Sequence, residues 1–310
     1  MTLTQSYVGI DVARAHLDIF DDHHNASARI ENEPAQIAAF LASLTGRTVT
    51  VVFEATGPYD RTLRQALSAA GLGAVRVNPA RARDFARAAG YLAKTDAVDA
   101  RMLAAMGRAI ALPQDAPAEP AREGLALLNR QRDRLVAVRA DEKKRLQQSA
   151  HARVRASIAR HIAWLTAEIS AIEKALADML AEVPRLKAMQ ALLRTAPGVG
   201  AVTAMTLLAH MPELGGRSPK AIAALAGLAP LNNDSGQRRG RRAINGGRRH
   251  VRRVLYMAAL SAIRRVPRFA QAYQAIAARA NSKKVAIIAV ARKLLIALNA
   301  MIARQQPFRP

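Results

Sequence analysis

Four carboxylates in the first hundred residues stand where acids do chemistry. Asp11 follows an apolar, strand-like run at residues 7–10. Glu54 ends the run TVTVVF at 48–53, whose β-branched density predicts a fully buried strand. Asp96 and Asp99, in AKTDAVDA, are spaced i, i+3 and so share one face of a helix. A carboxylate at the end of a buried strand faces a site rather than a core, because an unpaired buried charge is costly. Gathered together, such groups hold Mg²⁺, and two ions of this kind clamp the attacking and leaving oxygens of a phosphoryl transfer. Spacing alone leaves other readings open: a helix N-cap for Asp11, and solvated helix charges for Asp96 and Asp99.

A second region has chemistry of a different kind. Ser235-Gly236 precedes Gln237-Arg238-Arg239-Gly240-Arg241-Arg242, and Asn245-Gly246-Gly247-Arg248-Arg249-His250 follows. Arginines neutralise phosphates and offer planar forks to their oxygens, and glycines make the loop pliable enough to order on a polyanion. By composition this is either an RG-rich binding segment with an incidental serine or a nucleophile in a basic cradle. Upstream, Pro197-Gly198-Val199-Gly200 resembles a helix-hairpin-helix turn, in which Gly198 and Gly200 let a phosphate approach a helix N-terminus. A plain interhelical turn explains it about as well.

The charge distribution says what such segments meet. The chain has 310 residues with 47 Lys/Arg against 23 Asp/Glu, a net charge of +24. Residues 1–110 are balanced, 12 basic to 11 acidic, whereas 111–310 carry 35 to 12, and after Asp234 there are 18 basic residues and no acidic one. A near-neutral part is joined to a strongly basic one, which implies a nucleic-acid partner. The absence of cysteine excludes disulfides, thiolate zinc sites and a cysteine nucleophile. No run of 18 uninterrupted apolar residues and no signal-like N-terminus occur, so no membrane partner is expected and the location is expected to be cytoplasmic.

These groups need positioning elements. Short strands at 7–10, 17–20, 48–53 and 74–77 alternate with helical stretches, notably 60–70 and much of 81–110, and predict an α/β domain over 1–112. Three prolines at 113–120 mark a linker. Ile158, Ile162, Leu165, Ile169, Ile172, Leu176 and Met179 follow 4-3 spacing, a heptad seam within a helical segment that fills 113–188 after the linker. About 60 helical residues would span about 90 Å at 1.5 Å each, so the stretch is expected to fold in two near 147–151. The seam could pair two subunits, giving a homo-oligomer (dimer or tetramer), or could serve an intrachain helix pair. Residues 189–310 read as mostly α-helical, with a last helix around 284–303. Asp18, Asp21 and Asp22 read as strand-end or turn charges, with some influence on the metals. His16 and His250 belong to no ligand-spaced cluster, Tyr256 is read as packing beside Leu255 and Met257, and Trp164 as packing beside the seam.

GIDVARAHLDIF, VFEATGPY, NPARARDFARAAGYLAKTDAVDA and PGVGAVTAMTLLA resemble, in content and order, the motifs of the DEDD-type insertion-sequence transposases, the Piv/MooV invertase-related family. The resemblance runs over almost the whole chain. It implies a RuvC-like N-terminal domain of the RNase H superfamily, a D-E-D-D tetrad at Asp11, Glu54, Asp96 and Asp99, and a C-terminal transposase domain that ends in LAGLAP, a serine-glycine and RRG. The family places its nucleophilic serine in that segment, here Ser235. Some members are directed by a structured noncoding guide RNA, a partner that enters through the resemblance alone.

The expectation is a Mg²⁺-dependent DNA transposase acting as a site-specific recombinase. The alternatives are a RuvC-like nuclease or junction resolvase that uses water and forms no covalent intermediate, and an architectural or RNA-binding protein on an inactive fold, which the four acids disfavour. Acids are missing after Asp234, so Ser235 would need the ions of the N-terminal carboxylates, in a composite site assembled within or between protomers.

Overall fold

The computed structural model describes all residues except 1–4, 56, 92–94, 115–118, 232–242, 281 and 310. Contacts divide the chain into two compact units, Met1–Ala118 and Glu119–Pro310.

In the first unit, β1 (Ser6–Val12), β2 (His16–Asp21) and β3 (Ala26–Glu31) form an antiparallel meander. After α1 (Pro34–Ala42), β4 (Val49–Glu54) returns parallel to β1. Then come α2 (Arg61–Ala69), β5 (Gly73–Val77) parallel to β4, α3 (Pro79–Ala88) and α4 (Asp96–Ala109). The sheet order is β3-β2-β1-β4-β5. Its two faces do different work. Val8, Ile10, Leu17, Ile19, Val51 and Phe53 pack on Ile37 and Leu41 of α1 and on Leu63 and Leu67 of α2. On the other face Val52, Val75 and Val77 meet Met102, Leu103 and Met106 of α4, while Phe20 meets Ala100 and Ala104. Burial on both faces is why β4 reads as a continuous apolar run rather than an alternation. The four expected strands are present. β3 extends the expected hairpin by an edge strand whose residues are mostly exposed, so no apolar period announced it.

The second unit is helical apart from one short ribbon among the described residues: α5 (Pro120–Gln148), α6 (Ala152–Ala181), α7 (Pro184–Arg194), α8 (Ala201–His210), α9 (Pro219–Leu225), β6 (Pro230–Leu231), β7 (Ala243–Ile244), α10 (Arg249–Arg265), α11 (Pro267–Ala280) and α12 (Lys283–Arg304). Pro120, Pro184 and Pro219 open their helices, where proline's missing N–H costs nothing. α12 is long and apolar enough to cross a membrane by length and composition. Its Val290, Leu294, Leu295 and Leu298 are fully buried in the core of this unit, where it packs on α7, α9, α10 and α11.

The helical stretch does fold in two, breaking at 149–151 between α5 and α6. The seam residues Ile158, Leu165, Ile169, Ile172 and Leu176 are buried within the chain, and α6 packs chiefly on α5. An intrachain helix pair therefore accounts for the 4-3 spacing. Leu165→Ala, at a side chain 1% exposed, should cost about 2–5 kcal/mol and lower the melting temperature of the helical unit. A melting curve unchanged from wild type would mean that the seam packs elsewhere. Trp164 corrects the expectation of packing: it is 57% exposed and stacks on His161, with ring centroids 6.1 Å apart. Tyr256 is partly buried against the core, as expected.

Candidate functional site

Strand register and one glycine bring the four acids to one face of the sheet. Ile10 of β1 pairs with Phe53 of β4, and Asp11 and Glu54 are the next residues on these parallel strands. Ile10 and Phe53 point into the α1–α2 face, so Asp11 and Glu54 point to the face that α4 covers. α4 begins beside them: Thr95 caps it, accepting a hydrogen bond from the Val98 N–H at 3.3 Å, which puts Asp96 and Asp99 in its first turn. Carboxylates there meet the positive end of the helix dipole. Gly9 lets α4 lie directly on β1, since a β-carbon at that position would overlap the backbone carbonyl of Ala100 and crowd the amide nitrogen of Ala104.

The result is an excess of negative charge. Burial pushes the Asp11 carboxyl from 3.8 up to about 6, and the charges of Asp99, Asp96, Glu54 and Asp18 push it the same way. Asp11 thus feels the charges of the three other acids singled out in the sequence. Asp11 titrates higher in the fold than in the open chain, so its contribution to stability is full below about pH 4 and fades as pH rises through about 6. Without divalent metal, Asp11→Asn should be more stable than wild type by about 1–2 kcal/mol at pH 7.5, after allowing for solvent screening, and the gap should shrink to about half by pH 5. Thermal melts in chelator at the two pH values measure it. A gap independent of pH would contradict this account of Asp11.

Three neighbours escaped notice as a group. Asp18 is the cross-strand partner of Asp11 on β2, and Arg29 is the partner of Asp18 on β3. Arg29 donates Nε to Asp18 Oδ1 at 2.9 Å and Nη2 to Asp18 Oδ2 at 3.1 Å, and the same Nη2 reaches Asp96 Oδ2 at 3.3 Å. His16 Nε2 lies 3.3 Å from Asp18 Oδ2 and 3.8 Å from Asp96 Oδ2, close enough for attraction yet without the alignment of a hydrogen bond. The ligand atoms of His16, Asp18 and Asp96 lie within 4.8 Å of one another, a spacing that could hold a cation. The period-2 pattern of β2 puts His16 and Asp18 on one face, which was the available signal.

In the second unit, Ser235, Arg238, Arg239, Arg241 and Arg242 lie outside the described residues. The chain on either side of them is pinned: Leu231 of β6 pairs with Ala243 of β7. Gly198, at φ +83°, is required by packing, because a side chain there would strike the Ala258 carbonyl of α10. Gly200 faces open space at the start of α8. Arg248 is held bidentately by Glu213, both bonds 2.6 Å, whereas Arg249 is exposed. His250 stacks on His210 and lies 3.5 Å from Asp133, which also pairs with Arg253. Burial pushes His210 down to about 4. Much of the local basic charge therefore anchors the start of α10.

A carboxylate-bearing mixed sheet and a basic helical unit suit a protein that acts on nucleic acid, and sequence comparison gives the family. Residues 8–151 match a family model for the DEDD transposases of IS110 elements, described as "Transposase", and residues 190–274 match "Transposase IS116/IS110/IS902 family". Two relatives, each called "Pilin gene-inverting protein", from Moraxella lacunata and Moraxella bovis, are 27% identical over 318 residues, covering 99% of this chain and 98% of theirs. The chain belongs to the IS110-type transposases. The family implies DNA recombinase activity, with DNA as substrate.

Proposed function

We propose that this protein is a Mg²⁺-dependent DNA transposase that works as a site-specific recombinase, with a RuvC-like catalytic domain over 1–112, a linker and helical segment over 113–188 and a C-terminal transposase domain over 189–310. The observation that carries the reading is the convergence of Asp11, Glu54, Asp96 and Asp99 on one sheet face, with Asp11 driven to about 6. An all-oxygen set of mutually repelling carboxylates suits a hard divalent cation, and the strand order with acids at the ends of β1 and β4 supports the RuvC-like assignment.

Asp11, Glu54, Asp96 and Asp99 would hold the Mg²⁺, which when bound supplies stabilisation of the charge that builds on phosphoryl oxygens. The protein's own part begins with the Ser235 hydroxyl. It loses its proton and attacks a phosphorus of the DNA, displacing a deoxyribose oxygen. This leaves a phosphoserine ester and a free hydroxyl end. Attack on that ester by a hydroxyl of another strand joins the strands and returns the serine, so no external energy source is needed. Arg238, Arg239, Arg241 and Arg242 offset the charge of the crowded transition state. Gly200, Arg249 and the remaining basic surface bind backbone phosphates. A structured noncoding guide RNA, taken from the family resemblance alone, and a homo-oligomeric assembly, favoured by the need to hold two DNA partners at once, complete the reading.

A nicked suicide substrate tests the covalent step. It should trap an adduct that maps to Ser235 and that disappears in Ser235→Ala and in chelator. Recombination by Ser235→Ala at the wild-type rate, or free cut ends without an adduct, would replace this mechanism with hydrolysis by water.

A further inference from the structure

Asp18 is a fifth acid on the tetrad's face, and the fold gives it a dedicated counter-charge. It is 6% exposed, stands beside Asp11 across the β1–β2 ladder and beside Arg29 across β2–β3. The sheet thus presents Arg29, Asp18, Asp11 and Glu54 across four strands, one cation followed by three anions, with Asp96 and Asp99 over them from α4. Two divalent cations balance four carboxylates. A fifth would leave the site over-anionic and would offer a competing ligand. Arg29 occupies both Asp18 oxygens with a two-pronged clamp, 2.9 and 3.1 Å, while its Nη2 also holds Asp96 at 3.3 Å. A guanidinium fork fixes the Asp18 carboxylate in direction as well as in charge.

We propose that Arg29 is a positioning residue that fixes the ligand number of the metal site: it keeps Asp18 out of metal coordination, and its spare bond to Asp96 is weak enough to leave that acid to the metal. This rests on the metal reading above. Its consequence is a pair of opposite effects. Arg29→Gln frees Asp18 beside His16 and Asp96, removes the positive charge that offsets it and should tighten divalent binding. The added imidazole nitrogen should also favour Mn²⁺ over Mg²⁺. Asp18→Asn leaves Asp96 as the ionised partner of Arg29, so the guanidinium competes for a metal ligand and binding should weaken. At these separations one unit charge is worth about tenfold in each direction. The double variant Arg29→Gln/Asp18→Asn restores the balance and should lie near wild type.

The test is Mn²⁺ titration of the full chain without DNA at pH 7.5, with free Mn²⁺ followed by its paramagnetic resonance signal and folding checked by circular dichroism. Arg29→Lys keeps the charge but loses the fork, and should shift binding in the same direction as Arg29→Gln but by clearly less. A merely structural Arg29–Asp18 bridge would move both single variants the same way. That result, or single variants both within twofold of wild type, or Arg29→Lys shifting as far as Arg29→Gln, overturns the proposal while leaving the metal site standing. Wild-type Mn²⁺ binding that Asp11→Asn leaves intact overturns both.

Discussion

Asp11→Asn, Glu54→Gln, Asp96→Asn or Asp99→Asn, each made singly, should lower DNA strand transfer by about 10³-fold or more and change affinity for nucleic acid by no more than about threefold. The first figure follows from losing a carboxylate that holds charge against the reacting phosphate, worth several kcal/mol at about 1.4 kcal/mol per tenfold. The second follows from where the basic residues lie: 35 Lys/Arg against 12 Asp/Glu in residues 111–310, near balance before that. Assaying transfer and binding on the same preparations separates the two effects. Full transfer by any two of the four variants would remove the tetrad from the mechanism.

Gly9→Ala should damage the site from a distance. The added methyl would occupy the space of the Ala100 carbonyl and of the Ala104 amide, so α4 must move off β1. Overpacking of this kind costs about 1–3 kcal/mol. The larger effect is geometric, because Asp96 and Asp99 ride on the first turn of α4 while Asp11 and Glu54 stay on the sheet. A misplacement of about 1 Å can cost about 10²-fold in rate. The expected outcome is a folded protein with transfer reduced about a hundredfold and weaker divalent binding. Wild-type transfer by Gly9→Ala would show that the α4–β1 contact does not set the positions of Asp96 and Asp99.

The placement of the four acids was legible in the sequence because each ended or opened a recognisable element: Asp11 and Glu54 closed apolar runs, and Asp96 and Asp99 shared one turn of a helix. The counter-charge at Arg29 was not legible. Its strand, ASARIE, lies at the sheet edge and alternates no apolar face, so nothing placed Arg29 beside Asp18. The heptad seam was legible as a seam but not by its partner, since 4-3 spacing is the same within a chain and between chains. Its partner helix α5 hides polar residues, Asn129, Asp133 and Glu142, among its buried positions, which weakened the matching apolar stripe. Gly198 shows the converse: a glycine in a phosphate-binding pattern whose position is also demanded by the backbone of α10.

The central claim is that Asp11, Glu54, Asp96 and Asp99 bring divalent metal to a DNA phosphate. The most direct measurement replaces a non-bridging oxygen of the scissile phosphate with sulfur and compares strand cleavage in Mg²⁺ and in Mn²⁺. Sulfur binds hard Mg²⁺ poorly and Mn²⁺ better. Cleavage in Mg²⁺ should fall by a large factor and recover in Mn²⁺, with no recovery in Asp11→Asn. Equal cleavage of the oxygen and sulfur substrates in Mg²⁺, with no gain from Mn²⁺, would contradict a metal contact at the reacting phosphate.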